Sequence, residues 1–313
     1  MTIALTMIAT ACGNEATTTS DAEAPTSTGY VALAANFDLA ENSPQAFLVG
    51  LIGPGQESIA YGSVDVAFSF LGPAGNLLPV PRAGLPATAT FEQVSGTQSV
   101  PSPARPRAVD PAQATGVYET EPMKFSDAGY WEVTTTFEIN GSTRTATAAF
   151  EVLDEHRIPA VGDRAPPTVN PVAGDPNTPA VAIDSRAADG GPVPDPQLHT
   201  TSIADALAAH RPLTVVITTP NFCESRFCGP VTDAVAAVAA RHSDRMDFVH
   251  LEVWQDVQTQ TMNPAAAEWI LRNGGDGTEP WVFIIDTAGI IVDRFDNVAN
   301  EQLIEAAVQQ VLQ

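Results

Sequence analysis

The chain has little positive charge and no long hydrophobic run. Its 313 residues include 14 lysines and arginines against 37 aspartates and glutamates, which gives a formal net charge of −23 at pH 7, and Lys124 is the only lysine. Nucleic acids and anionic lipid surfaces are bound through basic patches, so this charge balance argues against both as partners. Beyond the first residues, no apolar stretch approaches the roughly 20 residues that cross a bilayer as a helix. We therefore predict no membrane-spanning helix and no nucleic-acid partner.

Cysteine is also scarce, with only Cys12, Cys223 and Cys228 in the chain. Four residues separate the last two, and no other thiol follows Cys12, so a disulfide formed within this part of the chain joins Cys223 to Cys228. Residues five apart on a regular helix have Cα atoms roughly 8 to 9 Å apart, whereas a disulfide needs about 4.4 to 6.8 Å. An oxidised pair therefore does not lie on one undistorted helix.

Pro230 indicates where the helix after the cysteines begins, because proline is tolerated at the first helical position and disrupts the helix further in. Cys228 is then at the N-terminus of the helix and Cys223 is in the preceding loop. Unpaired backbone N–H groups, the helix dipole and nearby Arg226 all favour a thiolate at this position. We predict that Cys228 is the more nucleophilic sulfur.

A purely structural disulfide is the alternative, since such bonds are common in exported proteins. A loop this short restricts the unfolded chain by only about 2 kcal/mol. That is a small gain for a domain of this size, so redox chemistry is the favoured interpretation.

Strands and helices alternate around the two cysteines, as their hydrophobic patterns indicate. The strands are predicted over 213–218, 246–253, 281–286 and 290–295, and the helices over 229–242, 264–272 and 300–312. This order over residues 200–313 resembles the thioredoxin superfamily. The resemblance implies an α/β thioredoxin-like domain.

Two motifs support the resemblance. Phe227-Cys228-Gly229-Pro230 is similar to the aromatic-Cys-Gly-Pro half of the thioredoxin motif, and Pro280 falls where that family has a cis-proline facing the sulfurs. The resemblance implies a thiol–disulfide oxidoreductase in which Cys228 attacks a protein partner's disulfide and Cys223 resolves the mixed disulfide. Pro280, together with Phe227, Gly229 and Pro230, then shapes the groove for that partner.

The chain also departs from the thioredoxin pattern. The family's second cysteine would fall at Val231, and the strand 213–218 lacks the family's buried acid, so the direction of the redox reaction is open. Thr219-Pro220 ahead of the Cys-x4-Cys spacing is similar to a subgroup of peroxiredoxins. In that alternative the protein is a thiol peroxidase and Cys223 is the peroxide-reactive sulfur.

Copper binding is a further alternative. Copper chaperones of related fold use two closely spaced thiolates and a distant histidine, and soft thiolates select Cu(I). His250 is the candidate third ligand because it lies on the predicted strand after the dithiol helix. An ordinary strand histidine is the favoured interpretation, and no metal or other cofactor is part of the main prediction.

The N-terminus resembles the signal peptide of a bacterial lipoprotein. Residues 1–12 are a short apolar segment ending in Ala9-Thr10-Ala11-Cys12, similar to a lipobox, which implies that Cys12 is lipidated and begins the mature chain. A cysteine in a chance apolar run is the alternative. Residues 13–28 are rich in Thr, Ser, Ala and acidic residues, which is typical of a flexible tether. We predict an extracytoplasmic protein whose membrane partner is bound through lipidated Cys12.

Residues 29–153 have the pattern of an all-β domain. Short alternating segments are separated by Gly, Pro and Asn turns, among them the hairpin signal Asn140-Gly141. Residues 127–133 resemble the Asp-x-Gly-x-aromatic corner of immunoglobulin-like domains, which implies a β-sandwich with Trp131 in its core. Nothing in this half indicates catalysis, so a non-catalytic binding or scaffold protein with a structural disulfide is a further alternative.

A proline-rich segment, 154–199, separates the two predicted domains. It contains Pro166-Pro167 and Pro194-Asp195-Pro196 among its turn-forming residues, a composition that is typical of a semi-rigid linker and is expected to bury little. Residues 159–166 are similar to the lead-in of thioredoxin-like domains and are the part expected to pack on the second domain. The predicted architecture is thus an immunoglobulin-like sandwich, a linker and a thioredoxin-like domain.

Overall fold

The structure is a computed structural model that describes residues 29–95, 104–223 and 225–313. The predicted signal segment with Cys12 and the tether 13–28 lie outside the described residues, so both stay predictions. Within the described ranges, no helix combines the length and the apolar character needed to cross a bilayer.

The first half of the described chain forms one antiparallel sheet. Its strands are β1 (Val31–Ala34), β2 (Leu48–Ile52), β3 (Ser58–Ala60), β4 (Ser63–Gly72), β5 (Arg82–Ser95), β6 (Arg107–Val109), β7 (Thr115–Thr120), β8 (Gly129–Ile139) and β9 (Ser142–Val152). Among the described residues the hydrogen-bonded order is β6-β3-β2-β7-β5-β4-β8-β9, with β1 on the other side of β2. Hydrogen bonds therefore join these strands into one continuous sheet. The predicted sandwich has two separate sheets, and this strand order differs from that prediction.

Alternation along the strands builds the core of this sheet. In β4 and β8 every second side chain is buried, as in half-buried antiparallel strands. Trp131 is 4% exposed, which confirms its predicted place in the core. The ring centroids of Phe68 and Phe125 are 5.3 Å apart and those of Phe125 and Trp131 are 5.2 Å apart. Asn140 and Gly141 both have positive φ, as a tight hairpin turn requires, and they connect β8 to β9.

The second half contains a four-stranded sheet within the described residues. Its strands are β10 (Leu213–Thr218), β11 (Asp247–Glu252), β14 (Trp281–Ile285) and β15 (Ile291–Asp296), in the order β11-β10-β14-β15. β10 and β11 are parallel, while β14 and β15 run antiparallel to their neighbours. A separate small ribbon is formed by β12 (Trp254–Asp256) and β13 (Thr261–Met262).

Helices cover both faces of the four-stranded sheet. They are α1 (Ile203–Ala208), α2 (Cys228–His242), α3 (Pro264–Ile270) and α4 (Glu301–Val311). α2 and α4 pack with Val216 and Ile284 on one face, and α1 and α3 pack with Val215 and Phe283 on the other. The central strands β10 and β14 are therefore buried on both faces, which explains why their sequences are almost continuously apolar.

The segment 154–199 is packed onto the second half of the chain. It contains short 3-10 helices at Ala180–Ala182, Ser185–Ala187 and Pro196–Leu198. Gly162 N donates to Ile291 O at 2.8 Å and Ile291 N donates to Asp163 O at 2.9 Å, so the predicted lead-in does pack on the sheet. The expectation that this segment buries little is wrong. Ile158, Ile183 and Leu198 are buried, although Val161 and Val169 are exposed. Among its buried polar groups, the Thr168 hydroxyl donates to Glu268 and the Ser185 backbone N–H donates to Glu252, both in the second half.

Direct contacts hold the two halves together. Arg294, from β15, donates to the carboxylate and the backbone carbonyl of Asp38, each at 2.8 Å. Burial raises the pKa of Asp38, but the bond to His156 and the charge of Arg294 outweigh it, so the pKa lies below its usual value. The Asp296 carboxylate accepts from the backbone N–H of Phe37 at 2.8 Å. The first sheet is thus docked against the second half.

Candidate functional site

Cys223 and Cys228 form a disulfide, with Cα atoms 6.3 Å apart. The predicted pairing is confirmed, and only Cys228 is part of a helix. α2 begins at Cys228, one residue before the predicted start at residue 229. Pro230 is tolerated there because the first i to i−4 bond of the helix, at 2.9 Å, runs from Val231 N to Phe227 O. The N–H that proline lacks is one of those that a helix start leaves unpaired in any case.

The two sulfurs differ in exposure. Cys228 is 0% exposed, whereas Cys223 is partly exposed in the loop before the helix. Cys223 Sγ lies 3.4 Å from the hydroxyl of Ser225, which also accepts from Phe227 N at 3.2 Å. The predicted first attack by the Cys228 thiolate, which requires the reduced protein, stays a prediction, and the burial of this sulfur disfavours it.

The loop before β14 brings an acid to the disulfide. The Glu279–Pro280 peptide bond is cis, and a carboxylate oxygen of Glu279 lies within 4.8 Å of both sulfurs. Pro280 was the residue predicted at this place, and its neighbour Glu279 was not anticipated. The signal that could have found Glu279 is its position directly before a proline expected to face the sulfurs.

Three of the four residues predicted to shape a partner groove lie within two positions of Cys228 in the chain, whereas the fourth, Pro280, is buried. Phe227, Gly229 and Pro230 are all partly exposed, and Phe227 also packs against the hydrophobic cluster of α2 and α4. No atom lies within 4 Å of the position that a Cβ on Gly229 would take. The helix start therefore leaves open space on the side of Gly229. The role of these residues in binding a partner stays a prediction.

Polar contacts hold the loop of Cys223 in place. Asn221 donates its backbone N–H to the hydroxyl of Ser185 at 3.1 Å and its side-chain amide to the Ser185 carbonyl at 2.9 Å. Ser185 N in turn donates to Glu252 on β11 at 2.8 Å. Arg226, which was expected to favour the Cys228 thiolate, donates to the carbonyl of Pro111 at 3.3 Å. The loop is thus fastened to the segment 154–199 and to the first half of the chain.

His250 belongs to a different group of side chains. Among the described residues, the sulfurs group with Glu279, whereas His250 groups with Asp184 and His199. The predicted copper arrangement of two sulfurs with His250 is therefore not present. The reason is the orientation of the imidazole, whose Nδ1 lies 3.3 Å from Asp184 Oδ2.

A chain of hydrogen bonds nevertheless connects His250 to the helix start. His250 Nε2 lies 2.9 Å from the hydroxyl of Thr218, which lies 2.8 Å from the hydroxyl of Thr232. Thr232 donates to the backbone carbonyl of Cys228 at 2.8 Å. All three of these side chains are buried. The first turn of α2 is therefore tied to the strand layer below it.

Comparison with known proteins does not assign the chain to a family. No family model matches it, and no curated protein matches it. The interpretation of the site therefore depends on its own geometry.

Proposed function

We propose that the chain is a thiol–disulfide oxidoreductase that exchanges the Cys223–Cys228 disulfide with cysteines of a protein partner. One observation supports this most directly: the bond joins a partly exposed sulfur in a loop to a buried sulfur at the N-terminus of α2. An exposed sulfur can be attacked by a partner, and a sulfur at a helix N-terminus is a good leaving group because the helix dipole stabilises its thiolate.

The proposed exchange starts at Cys223. A partner thiolate attacks Sγ of Cys223, the intramolecular bond breaks, and the electron pair leaves on Sγ of Cys228. A second partner thiolate then attacks the partner's own sulfur in the mixed disulfide and releases Cys223. The partner loses two electrons as two thiols become a disulfide, and the cysteine pair gains these electrons together with two protons.

The finer fold assignments belong to the same proposal. We infer a thioredoxin-like fold for residues 200–313, supported by the strand order β11-β10-β14-β15 and by helices on both faces of this sheet. For residues 29–153 we infer a distant immunoglobulin-like relationship, supported by the antiparallel strands and by the corner in which Trp131 Nε1 donates to Asp127 O at 3.0 Å. We call the immunoglobulin-like relationship distant because hydrogen bonds join the strands of the first half into one sheet and not into two.

The location is proposed on similar grounds. Disulfides persist in oxidising compartments and are rare in reducing ones. A protein that works through Cys223 and Cys228 in their bonded form therefore fits an extracytoplasmic site. Lipid anchoring through Cys12 remains part of this proposal.

Single cysteine variants test which sulfur reacts first. Full-length Cys223→Ser and Cys228→Ser proteins, both also carrying Cys12→Ser, are incubated with a peptide disulfide, and mixed disulfides are measured by mass spectrometry. We expect Cys228→Ser to trap the peptide on Cys223 at least about tenfold faster than Cys223→Ser traps it on the buried sulfur, since buried thiols are inert. Faster trapping by Cys223→Ser would restore the order predicted from the sequence, and no trapping by either variant would contradict exchange chemistry.

A non-catalytic scaffold with a structural disulfide is the second candidate. The complete burial of Cys228 and the docking of the two halves through Arg294 and Asp38 favour it. The reduction potential separates the two candidates. A value between about −120 and −270 mV is typical of working oxidoreductases, and a value below about −300 mV is typical of structural bonds.

A further inference from the structure

A second constellation lies beneath the redox loop. The side chains of Asp184, His199 and His250 are each 0% exposed. Asp184 Oδ2 lies 3.3 Å from His199 Nε2 and 3.3 Å from His250 Nδ1, and all three atoms lie within 4.8 Å of one another. Two imidazoles thus face one carboxylate oxygen in a site closed to solvent.

Neither contact has the geometry of a hydrogen bond. The distances are within ion-pair range, but His199 Nδ1, His199 Nε2 and His250 Nδ1 have no partner with acceptable hydrogen-bond geometry among the described residues. A buried polar atom without a partner costs about 1 to 3 kcal/mol. Two of these nitrogens, His199 Nε2 and His250 Nδ1, face one carboxylate oxygen, which indicates that a further group belongs between them.

The tautomer of His250 supports the same conclusion. Its Nε2 lies 2.9 Å from the Thr218 hydroxyl and 3.2 Å from the Thr218 carbonyl. Because a carbonyl only accepts hydrogen bonds, Nε2 carries the hydrogen. In a neutral imidazole Nδ1 then has a lone pair directed at the Asp184 carboxylate. Histidines that bind metal ions have this arrangement, in which the second nitrogen donates to a carbonyl and fixes the ring.

The distances fit a metal ion. Zn²⁺ bonds of about 2.0 to 2.1 Å to histidine nitrogen and carboxylate oxygen in a tetrahedral site place neighbouring ligand atoms about 3.3 Å apart. Both distances from Asp184 Oδ2 have this value. An ion lies off the line between two ligand atoms, so poor hydrogen-bond angles are expected. We propose that Asp184, His199 and His250 bind a divalent transition metal ion, with Zn²⁺ as the best fit and a fourth position left for water.

Arg186 does not prevent this binding. Its guanidinium donates from Nε to Asp184 Oδ1 at 3.0 Å and from Nη2 to Asp184 Oδ2 at 2.7 Å, so it also fixes the plane of the carboxylate. Its charge is shared with Asp195 at 2.8 Å and with Asp233 at 3.6 Å. The three carboxylates of Asp184, Asp195 and Asp233 therefore surround one guanidinium, and this excess of negative charge favours a cation.

The test uses the full chain with Cys12→Ser and the disulfide intact, so that Cys223 and Cys228 cannot bind metal. After removal of metal with a chelator, Zn²⁺ is titrated in competition with a chromophoric chelator, and Co²⁺ is added separately to record its visible absorption. We expect one equivalent of each ion, the strong absorption of four-coordinate Co²⁺, and a higher melting temperature with Zn²⁺.

Matched histidine variants complete the test. His199→Gln and His250→Gln are expected to lose at least about tenfold in Zn²⁺ affinity, as changes at metal ligands and their supports do, whereas His242→Gln is expected to keep it because His242 pairs with Glu305 elsewhere. Should a ligand variant fail to fold, ¹⁵N NMR of the histidine rings in the wild-type protein decides. No uptake by the wild-type protein, equal uptake by all variants, or an imidazolium at His250 at pH 7.5 unchanged by Zn²⁺ would each overturn the proposal.

Discussion

Replacing Glu279 by glutamine is expected to make the disulfide a stronger oxidant. A Glu279 carboxylate oxygen lies within 4.8 Å of both sulfurs, and reduction of the bond places a negative charge on the departing thiolate of Cys228. Two like charges at this distance repel by about 0.9 kcal/mol in water and by about 3.5 kcal/mol at an effective dielectric constant of 20. Glu279 is partly exposed, so we expect a repulsion energy between these limits, of about 1 to 2 kcal/mol. Without this repulsion the reduced form of the variant is stabilised by the same amount, which raises the reduction potential by roughly 20 to 40 mV.

The potential is measured by titration against glutathione at pH 7, with alkylation and mass spectrometry as the readout, in full-length protein carrying Cys12→Ser. Asp276→Asn is the matched control, because it removes the same charge from an exposed position in the same loop, and we expect its potential to stay within about 10 mV of the unsubstituted value. A potential of Glu279→Gln that is unchanged or lower would refute the reasoning. It would mean that the carboxylate does not face a thiolate, or that it stabilises the reduced pair by accepting from a thiol.

Three further predictions concern buried polar groups. Burial, with like charges nearby, raises the pKa of Glu119 from 4.5 to about 7. The folded state therefore binds this proton more tightly than the unfolded state, and the resulting stabilisation is present below pH 4.5 and is lost as the pH rises through 7. In urea unfolding, Glu119→Gln should increase the free energy of unfolding by up to roughly 3 kcal/mol at pH 8 and leave it unchanged at pH 4. Arg294→Met should cost about 3 to 5 kcal/mol in the same assay because Asp38, 2% exposed, loses its cationic partner, and a loss below about 1 kcal/mol would contradict this role. Asn221→Ala removes one side-chain bond that fastens the Cys223 loop, worth about 1 kcal/mol, so reduction by dithiothreitol should be severalfold faster, and an unchanged rate would show that opening of the loop does not limit access.

The sequence predicts the second sheet well because its pattern is governed by local physics. The strands at 213–218 and 281–285 are short apolar runs between turn residues, and such runs are typical of strands buried on both faces. The pairing of Cys223 with Cys228 follows from the scarcity of cysteine alone. The start of α2 differs from the prediction by one residue, because proline is compatible with any position in the first helical turn whose N–H has no partner.

The remaining features depend on contacts between distant parts of the chain. Asp184 and His199 lie in a segment whose composition is typical of a linker, yet both are buried against His250, more than fifty residues away. No period or motif in one segment indicates which polar side chains another segment will cover. Glu279 differs from these residues, because its position directly before Pro280 is a local signal, although the sequence does not show that its carboxylate lies beside the sulfurs.

The segment around residue 185 connects the two proposed sites. Asp184 faces the histidines, and its neighbour Ser185 accepts from Asn221 in the loop of Cys223. The other connection, from His250 through Thr218 and Thr232, consists of neutral hydroxyl groups that end at a backbone carbonyl. Neutral dipoles transmit little charge over this distance, so a change at the buried site has a small effect on the stability of a thiolate. It has a larger effect on the loop, because the position of Ser185 decides whether Asn221 keeps both bonds. Coupling between the sites is therefore expected in how readily the disulfide is reached and much less in its potential.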